Sequence, residues 1–240
     1  MGGFIESAAM FYVGCIALAL GHMHRMGVAY RDLKPENTLI DQHGYCKLID
    51  FGFAKKIPGP EGNLSYTVCG SPEYVAPEII LSKGHDRTVD LWALGILAYE
   101  LMVGHTPFAH ESRSVVFKQI IASDKFLGSA SMWPRGFKPE AKAFVKGLVA
   151  SKPTSRKGAG KSGVAEIQNM DWFTKNGFDW SALLAKKLVA PLVPLIKDPL
   201  DASNFDVTAT DDEEDTQPYT GSQELYAKWS DGFVSFPPMV

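Results

Sequence analysis

Cysteine is scarce in this sequence, with Cys15, Cys46 and Cys69 the three present in 240 residues. They build no disulfide framework and show no CxxC or His-rich zinc spacing, which fits a reducing, intracellular setting. A long hydrophobic run is also missing: "MFYVGCIALAL" (10–20) is too short to span a bilayer, so no membrane span is expected. The residues before it, "MGGFIESAA", contain no base, which argues against a secretory signal. Glu6 stands where a myristoylation signal needs Ser or Thr, so that near-match is read as chance. Positive charge is not in excess. Lys and Arg total 24 against 27 acids, a net charge of −3, which argues against bulk nucleic-acid binding. No internal repeat is visible.

What is present is an ordinary globular composition, 45% apolar and 21% charged, long enough for one large domain with an appendage. The charge is uneven. Nine acids and one base follow from Asp201 onward, leaving +5 on residues 1–200. Residues 7–26 and 88–104 are apolar on nearly every face and read as buried helices, the second as the central helix of the core. "TLI", "DQHG" and "YCKLI" (38–49) read as a β-hairpin. Residues 51–80 look loop-like. Helical patterns recur near 112–121, 139–150 and 163–170, and periodicity fades from about 174. Residues 191–240, with most of the late prolines and "DDEED", read as an extended tail.

The densest chemistry lies in "YRDLKPEN" (30–37). Charge packed this closely beside buried segments needs partners. In an extended loop, residues two apart point the same way, which puts Asp32 and Lys34 on one side and Arg31 on the other. Asn37 follows, and Asp50 lies across the hairpin in "DFG". Asp32 can orient or deprotonate a hydroxyl, and Lys34 can balance charge on a moving phosphoryl group. Asn37 and Asp50 offer hard oxygen ligands for Mg²⁺. The set implies magnesium-assisted phosphoryl transfer.

"YRDLKPEN" resembles the catalytic loop of eukaryotic protein kinases, "DFG" their metal-binding motif and "APE" (76–78) the end of their activation segment. "DLWALGILAYEL" is similar to the kinase helix that anchors the catalytic loop, and Arg156 matches the arginine that pairs with the APE glutamate, here Glu78. Tyr30 in place of His, "GSPEYVAPE", "TPF" (106–108) and "DPLDASNFD" (198–206) resemble the AGC kinases, nearest the cyclic-nucleotide-dependent branch. The fold implied is mainly α: a protein-kinase-like C-lobe with a small β-hairpin over 1–173, followed by an extended AGC-type tail over 174–240. "FDVT" departs from the "FDxY" of near relatives, with Thr208 in place of the tail tyrosine.

The resemblance implies ATP and Mg²⁺ as cofactors and roles for particular residues. Asp32 is the expected base and Lys34 the phosphate-contacting lysine, with Asn37 and Asp50 on the metal. Leu39 would floor the adenine pocket, and Phe205 would lie over the adenine. Ser71 would bond Asp32 and Lys34, pointing to Ser/Thr substrates. Thr67 matches the activation-loop phosphorylation site, with Arg31 and Lys55 as cations for its phosphate. Glu36 and Glu100 would read basic residues ahead of the acceptor, and Val68, Pro72 and Val75 would shape a pocket for the residue after it. Asp90 would brace the loop backbone. Tyr30 and Phe51 complete the set as structural residues, with Glu78 and Arg156. Partners would be protein substrates with basic motifs and a regulatory region or subunit, in the cytoplasm.

Other patterns weigh less. "GAGKSG" (158–163) matches a Gly-rich phosphate loop in letters only, because the polar segment before it offers no strand. The sequon "NLS" (63–65) has no meaning in a cytosolic chain. A kinase also needs a Gly-rich loop, a strand lysine and a helix glutamate upstream of its first C-lobe helix. No such segment occurs here, so these 240 residues are expected to be a piece of a longer kinase, weakly active or inactive alone. The competing reading is a non-catalytic C-lobe used as an interaction module. A small-molecule phosphotransferase would have no reason for "APE", "DLWALG" and "SNFD".

Overall fold

A helix that is apolar on every face has to be surrounded, and two such helices form the centre of this protein. The computed structural model describes residues 2–57, 64–198 and 201–205. In chain order the elements are α1 (Glu6–Arg25), β1 (Val28–Ala29), β2 (Thr38–Ile40), β3 (Cys46–Leu48), β4 (Lys55–Lys56), α2 (Pro77–Ile80), α3 (Thr88–Val103), α4 (Arg113–Ile121), α5 (Ser123–Phe126), α6 (Pro139–Leu148), α7 (Val164–Gln168), α8 (Asp171–Thr174) and α9 (Trp180–Leu184). The protein is mainly helical with small two-stranded sheets, as the sequence implies.

α3 carries the core. Trp92, Leu94, Ile96 and Ala98 are all inaccessible to solvent, and α1 and α6 pack against them. α1 is long and apolar enough by composition to cross a membrane, but its Ala9, Val13 and Ala17 are sealed within this core. It is the second core helix. α3 ends where Gly104 turns left-handed at φ 94° and its N–H closes on the Glu100 carbonyl at 2.7 Å.

Gly95 sets how closely α3 and α6 approach. A Cβ there would lie 2.6 Å from Val149 Cγ2 and 2.8 Å from Leu148 Cβ. Leu148 Cβ is fixed to the backbone, so the helices themselves must give. Gly95→Ala is therefore expected to destabilise by about 2 kcal/mol, despite alanine's better helix propensity. A lower urea midpoint at unchanged slope is the readout.

The expected hairpin forms with Thr38 opposite Leu48 and Ile40 opposite Cys46. Asp41 builds its turn, its side chain accepting from the N–H groups of His43 and Tyr45. Elsewhere the segment read as loop-like over 51–80 holds structure. β4 pairs with β1, Val28 opposite Lys56 and Ala29 opposite Lys55, and α2 opens on Pro77. Neither element exceeds four residues, too short for periodicity to register.

The helical body also runs past the point where periodicity fades. α9 caps on Asp179, whose side chain accepts from the Ala182 N–H at 2.8 Å. Phe173, Phe178 and Trp180 pack as an aromatic trio with centroids 4.5–5.0 Å apart. Leu183 joins Phe11, Tyr12 and Tyr45 in a second small cluster. The first compact unit is Met1–Ile196 and the second Lys197–Val240. In the second, Asp201 accepts from the N–H groups of Lys197 and Ser203 and ties a turn, and Phe205 is exposed. "FDVT" from Asp206 onward, the acidic run and "FVSF" (233–236) lie outside the described residues.

Candidate active site

The charged loop is held by a buried acid contributed from α3. Asp90 is inaccessible to solvent, and its carboxylate accepts from the N–H groups of Tyr30 at 2.9 Å and Arg31 at 2.7 Å. His24 Nε2 lies 2.7 Å from the same carboxylate. A buried carboxylate so bonded costs far less than a bare one. It also over-determines the backbone at Arg31, which sits left-handed at φ 72°. Tyr30 is itself buried, and its hydroxyl donates to the Ile49 carbonyl across the loop. Burial pushes that phenol well above its usual range, so it stays a donor.

Three side chains converge on Asp32, which is buried. Asn37 Nδ2 donates to its carboxylate at 2.8 Å and to its main-chain carbonyl at 2.9 Å. Ser71 Oγ lies 3.3 Å away, donating to the other carboxylate oxygen. Lys34 Nζ is 3.4 Å from the carboxylate and donates to Ser71 Oγ at 3.0 Å. One carboxylate is thus aimed and charge-balanced, with the lysine a quarter exposed toward the cleft. Lys34 and Asp32 do share a side of the loop.

Asn37 and Asp50 both lie at the open end of the hairpin, where the Ile49 N–H donates to the Asn37 carbonyl at 3.0 Å. The Asn37 amide nitrogen is spent on Asp32, which leaves its amide oxygen as the donor for a cation. Asp50 is exposed and left-handed at φ 53°, with one carboxylate oxygen accepting from the Gly52 N–H. Two oxygen ligands beside open solvent fit Mg²⁺, which keeps waters and phosphate oxygens as its remaining partners.

Arg31 points away from Asp32. Its Nε donates to the Phe53 carbonyl at 2.7 Å, and a terminal nitrogen donates to Ser65 Oγ at 3.0 Å. Lys55 Nζ reaches the same Ser65 oxygen at 3.3 Å. The β1–β4 ladder brings the two cations together, and here they meet on buried Ser65, while Thr67 is exposed two residues further on. His85 bridges to Ser65 through main-chain bonds in both directions, and burial and Arg31 hold its imidazole below its usual range.

The acids form a separate group. The Tyr74 hydroxyl donates to Glu100, and the Thr106 hydroxyl to Glu73. Burial, then Glu36, then Glu73 push the Glu100 carboxyl up to about 7. Glu73 is the member the sequence reading missed. Its signal was an acid two residues past Ser71. Val75 lines the narrow cleft beside Asp32 and Ser71. Val68 is 65% exposed and Pro72 is exposed.

A family model described as the protein kinase domain matches residues 1–173. The chain belongs to the protein kinase family. Human cGMP-dependent protein kinase 2 is 43% identical over 205 residues, which cover 85% of this chain and 26% of that protein. The cGMP-dependent protein kinase egl-4 of Caenorhabditis elegans is 40% identical over 232 residues, 97% of this chain and 28% of its own length. The cAMP-dependent protein kinase catalytic subunit of Dictyostelium discoideum is 38% identical over 224 residues, 93% of this chain and 33% of its own. These relatives place the kinase in the AGC group. The chain spans about a quarter to a third of the length of the curated relatives it matches.

The remaining kinase motifs hold the site from behind. Glu78 and Arg156, 78 residues apart, form a buried two-pronged pair at 2.6 and 2.7 Å. Leu39 is half-buried in β2, and Phe51 meets the Tyr30 ring edge-on at 5.6 Å.

Proposed function

We propose that this kinase transfers the γ-phosphoryl group of ATP to Ser or Thr hydroxyls of protein substrates that carry basic residues ahead of the acceptor. The observation that carries the reading is the Asp32 cluster: a buried carboxylate ringed by Asn37, Ser71 and Lys34. Asp32 accepts the hydroxyl proton of the acceptor, and the Asn37 amide fixes the carboxylate that receives it. Lys34 places a positive charge beside the group being transferred. Ser71, bonded to both, holds them in register. Asn37 and Asp50 would hold Mg²⁺, which supplies charge neutralisation to the nucleotide phosphates when bound. Leu39 and Phe205 are proposed for the adenine, and Val68, Pro72 and Val75 for the residue after the acceptor.

Phosphorylation of Thr67 is proposed to draw Arg31 and Lys55 off Ser65 and onto the phosphate, ordering the loop that carries Ser71. Regulation by a further region or subunit, and a cytoplasmic location, complete the reading.

Glu36 and Glu100, with Glu73, are proposed to bind the upstream bases. The natural protein with Mg-ATP should phosphorylate a Ser peptide with two upstream arginines. Replacing those arginines by alanine should raise KM about tenfold or more. Failure to transfer to either peptide would falsify the reading, and equal KM values would remove the basic preference.

Glu100 gives that preference a pH signature. Its folded carboxyl titrates near 7, above its ordinary 4.5, so its stability contribution is complete below about 4.5 and lost as pH rises through about 7. Glu100→Gln should therefore stabilise the fold at pH 8 by about 1 kcal/mol, after allowing for solvent screening, and change little at pH 5. The same variant should raise KM for the arginine peptide at pH 8. Melting curves at the two pH values, beside peptide kinetics, separate the effects.

A further inference from the structure

Cys15 on α1 and Cys46 on β3 are 31 residues apart in sequence, and both pack against the small cluster of Phe11, Tyr12, Tyr45 and Leu183 where α1 meets the hairpin. The Cys46 thiol donates to the Cys15 sulfur, and the Cys46 main-chain N–H donates to it as well. The hairpin register explains the second bond. Asp41 N–H donates to the Tyr45 carbonyl and Ile49 N–H to the Asn37 carbonyl, so the Ile40–Cys46 pair between them is not hydrogen-bonded. The Cys46 N–H therefore points away from β2, on the side where α1 lies. Both cysteines are partly exposed, whereas Cys69 is buried. A small apolar cavity of about 150 Å³, lined by Phe4, Tyr12, Ile16, Ile40 and Leu97, opens on Cys46.

We propose that Cys15 and Cys46 are a reversible dithiol site that closes to an intramolecular disulfide under peroxide, fastening the hairpin to α1. The bonds from Cys46 hold the Cys15 thiol below its ordinary range, which makes Cys15 the attacking sulfur. Its thiolate attacks one oxygen of hydrogen peroxide. The O–O bond breaks, and the hydroxide that leaves takes up the proton Cys15 had shed, giving water and a sulfenic acid. The Cys46 sulfur then attacks the sulfenic sulfur. The S–S bond forms, the S–O bond breaks, and the hydroxyl leaves with the Cys46 proton as a second water. Two thiols lose two electrons, and one peroxide becomes two waters. A thiol reductant reverses the bond. The hairpin so fastened carries Asn37 and Asp50 at its other end, but the proposal stands independently of the kinase reading.

The test is peptide mapping of the full 240-residue chain after mild hydrogen peroxide, without reduction. Trypsin should then release residues 1–25 joined to 32–47, with the Cys69 peptide unlinked. Titratable thiols should fall from three to one. The closed loop should raise Tm by about 5–10 °C, and dithiothreitol should restore both values. Cys46→Ala should abolish the linked species and leave Cys15 to oxidise alone. The proposal is overturned if Cys15 and Cys46 stay reduced while Cys69 reacts, or if either ends as a sulfinic acid or in a link between chains. The map of the unsubstituted chain decides this even if the variant does not fold.

Discussion

Asp32→Asn in the natural protein is expected to lower kcat for peptide phosphorylation by about a hundred- to ten-thousand-fold, the range that general-base catalysis commonly supplies. The substitution is nearly isosteric but reverses the chemistry of one oxygen. In the native cluster the carboxylate accepts from Asn37 Nδ2 and Ser71 Oγ and lies beside the Lys34 ammonium. An amide there can no longer take a proton from an acceptor hydroxyl. Its NH₂ also faces donors if it points toward Asn37. Peptide KM should move little, because the acids proposed to bind the peptide, Glu36, Glu73 and Glu100, are elsewhere. Tm should change by a few degrees at most. A variant that kept more than a tenth of the native kcat would remove Asp32 from the proton-accepting role. A loss of fold would instead mark it as structural.

Arg156→Ala should be the most damaging single change to stability outside the hydrophobic core, at about 3–5 kcal/mol. Arg156 is 2% exposed, and all three of its guanidinium nitrogens donate. Two nitrogens grip Glu78, one of them also donates to the Thr88 carbonyl, Nε donates to the Ala150 carbonyl, and the group lies over the Trp92 ring at 5.2 Å. Removing it leaves the buried Glu78 carboxylate without its cation and takes one donated bond from each of the Thr88 and Ala150 carbonyls. Arg156→Lys should recover only part of the loss, since an ammonium cannot match the two-pronged geometry or stack as well on Trp92. Glu78→Gln should cost less than Arg156→Ala, because an amide can still accept one bond. Urea unfolding of the three variants gives the order. Equal losses for all three would mean that the pair is not the source.

The catalytic loop was legible because its residues are neighbours. Asp32, Lys34 and Asn37 lie within six positions, so alternation was enough to pair Asp32 with Lys34 and chain proximity to bring in Asn37. The hairpin and the helices at 7–26 and 88–104 were legible because strong periodicity, or its absence across a uniformly apolar stretch, acts over many residues. β1, β4 and α2 were not, because two to four residues carry no period. α9 was not, because its place rests on an aromatic trio and a capping aspartate rather than on its own pattern.

The sequence by itself determined the two core helices, the hairpin, the catalytic loop and the protein kinase family, because each is encoded in local order and side-chain type. The kinase resemblance already set Asp90 behind the loop backbone; only the tertiary structure decided that it accepts from the N–H groups of Tyr30 and Arg31, 60 and 59 residues away. It also decided that Arg31 and Lys55 converge on Ser65, that Glu73 sits with Glu100, and that Cys15 and Cys46 share one cluster. Those meetings depend on how closely α1, α3 and the short ladders pack. That packing is set by a buried surface shared among distant segments, and no local stretch of sequence contains it.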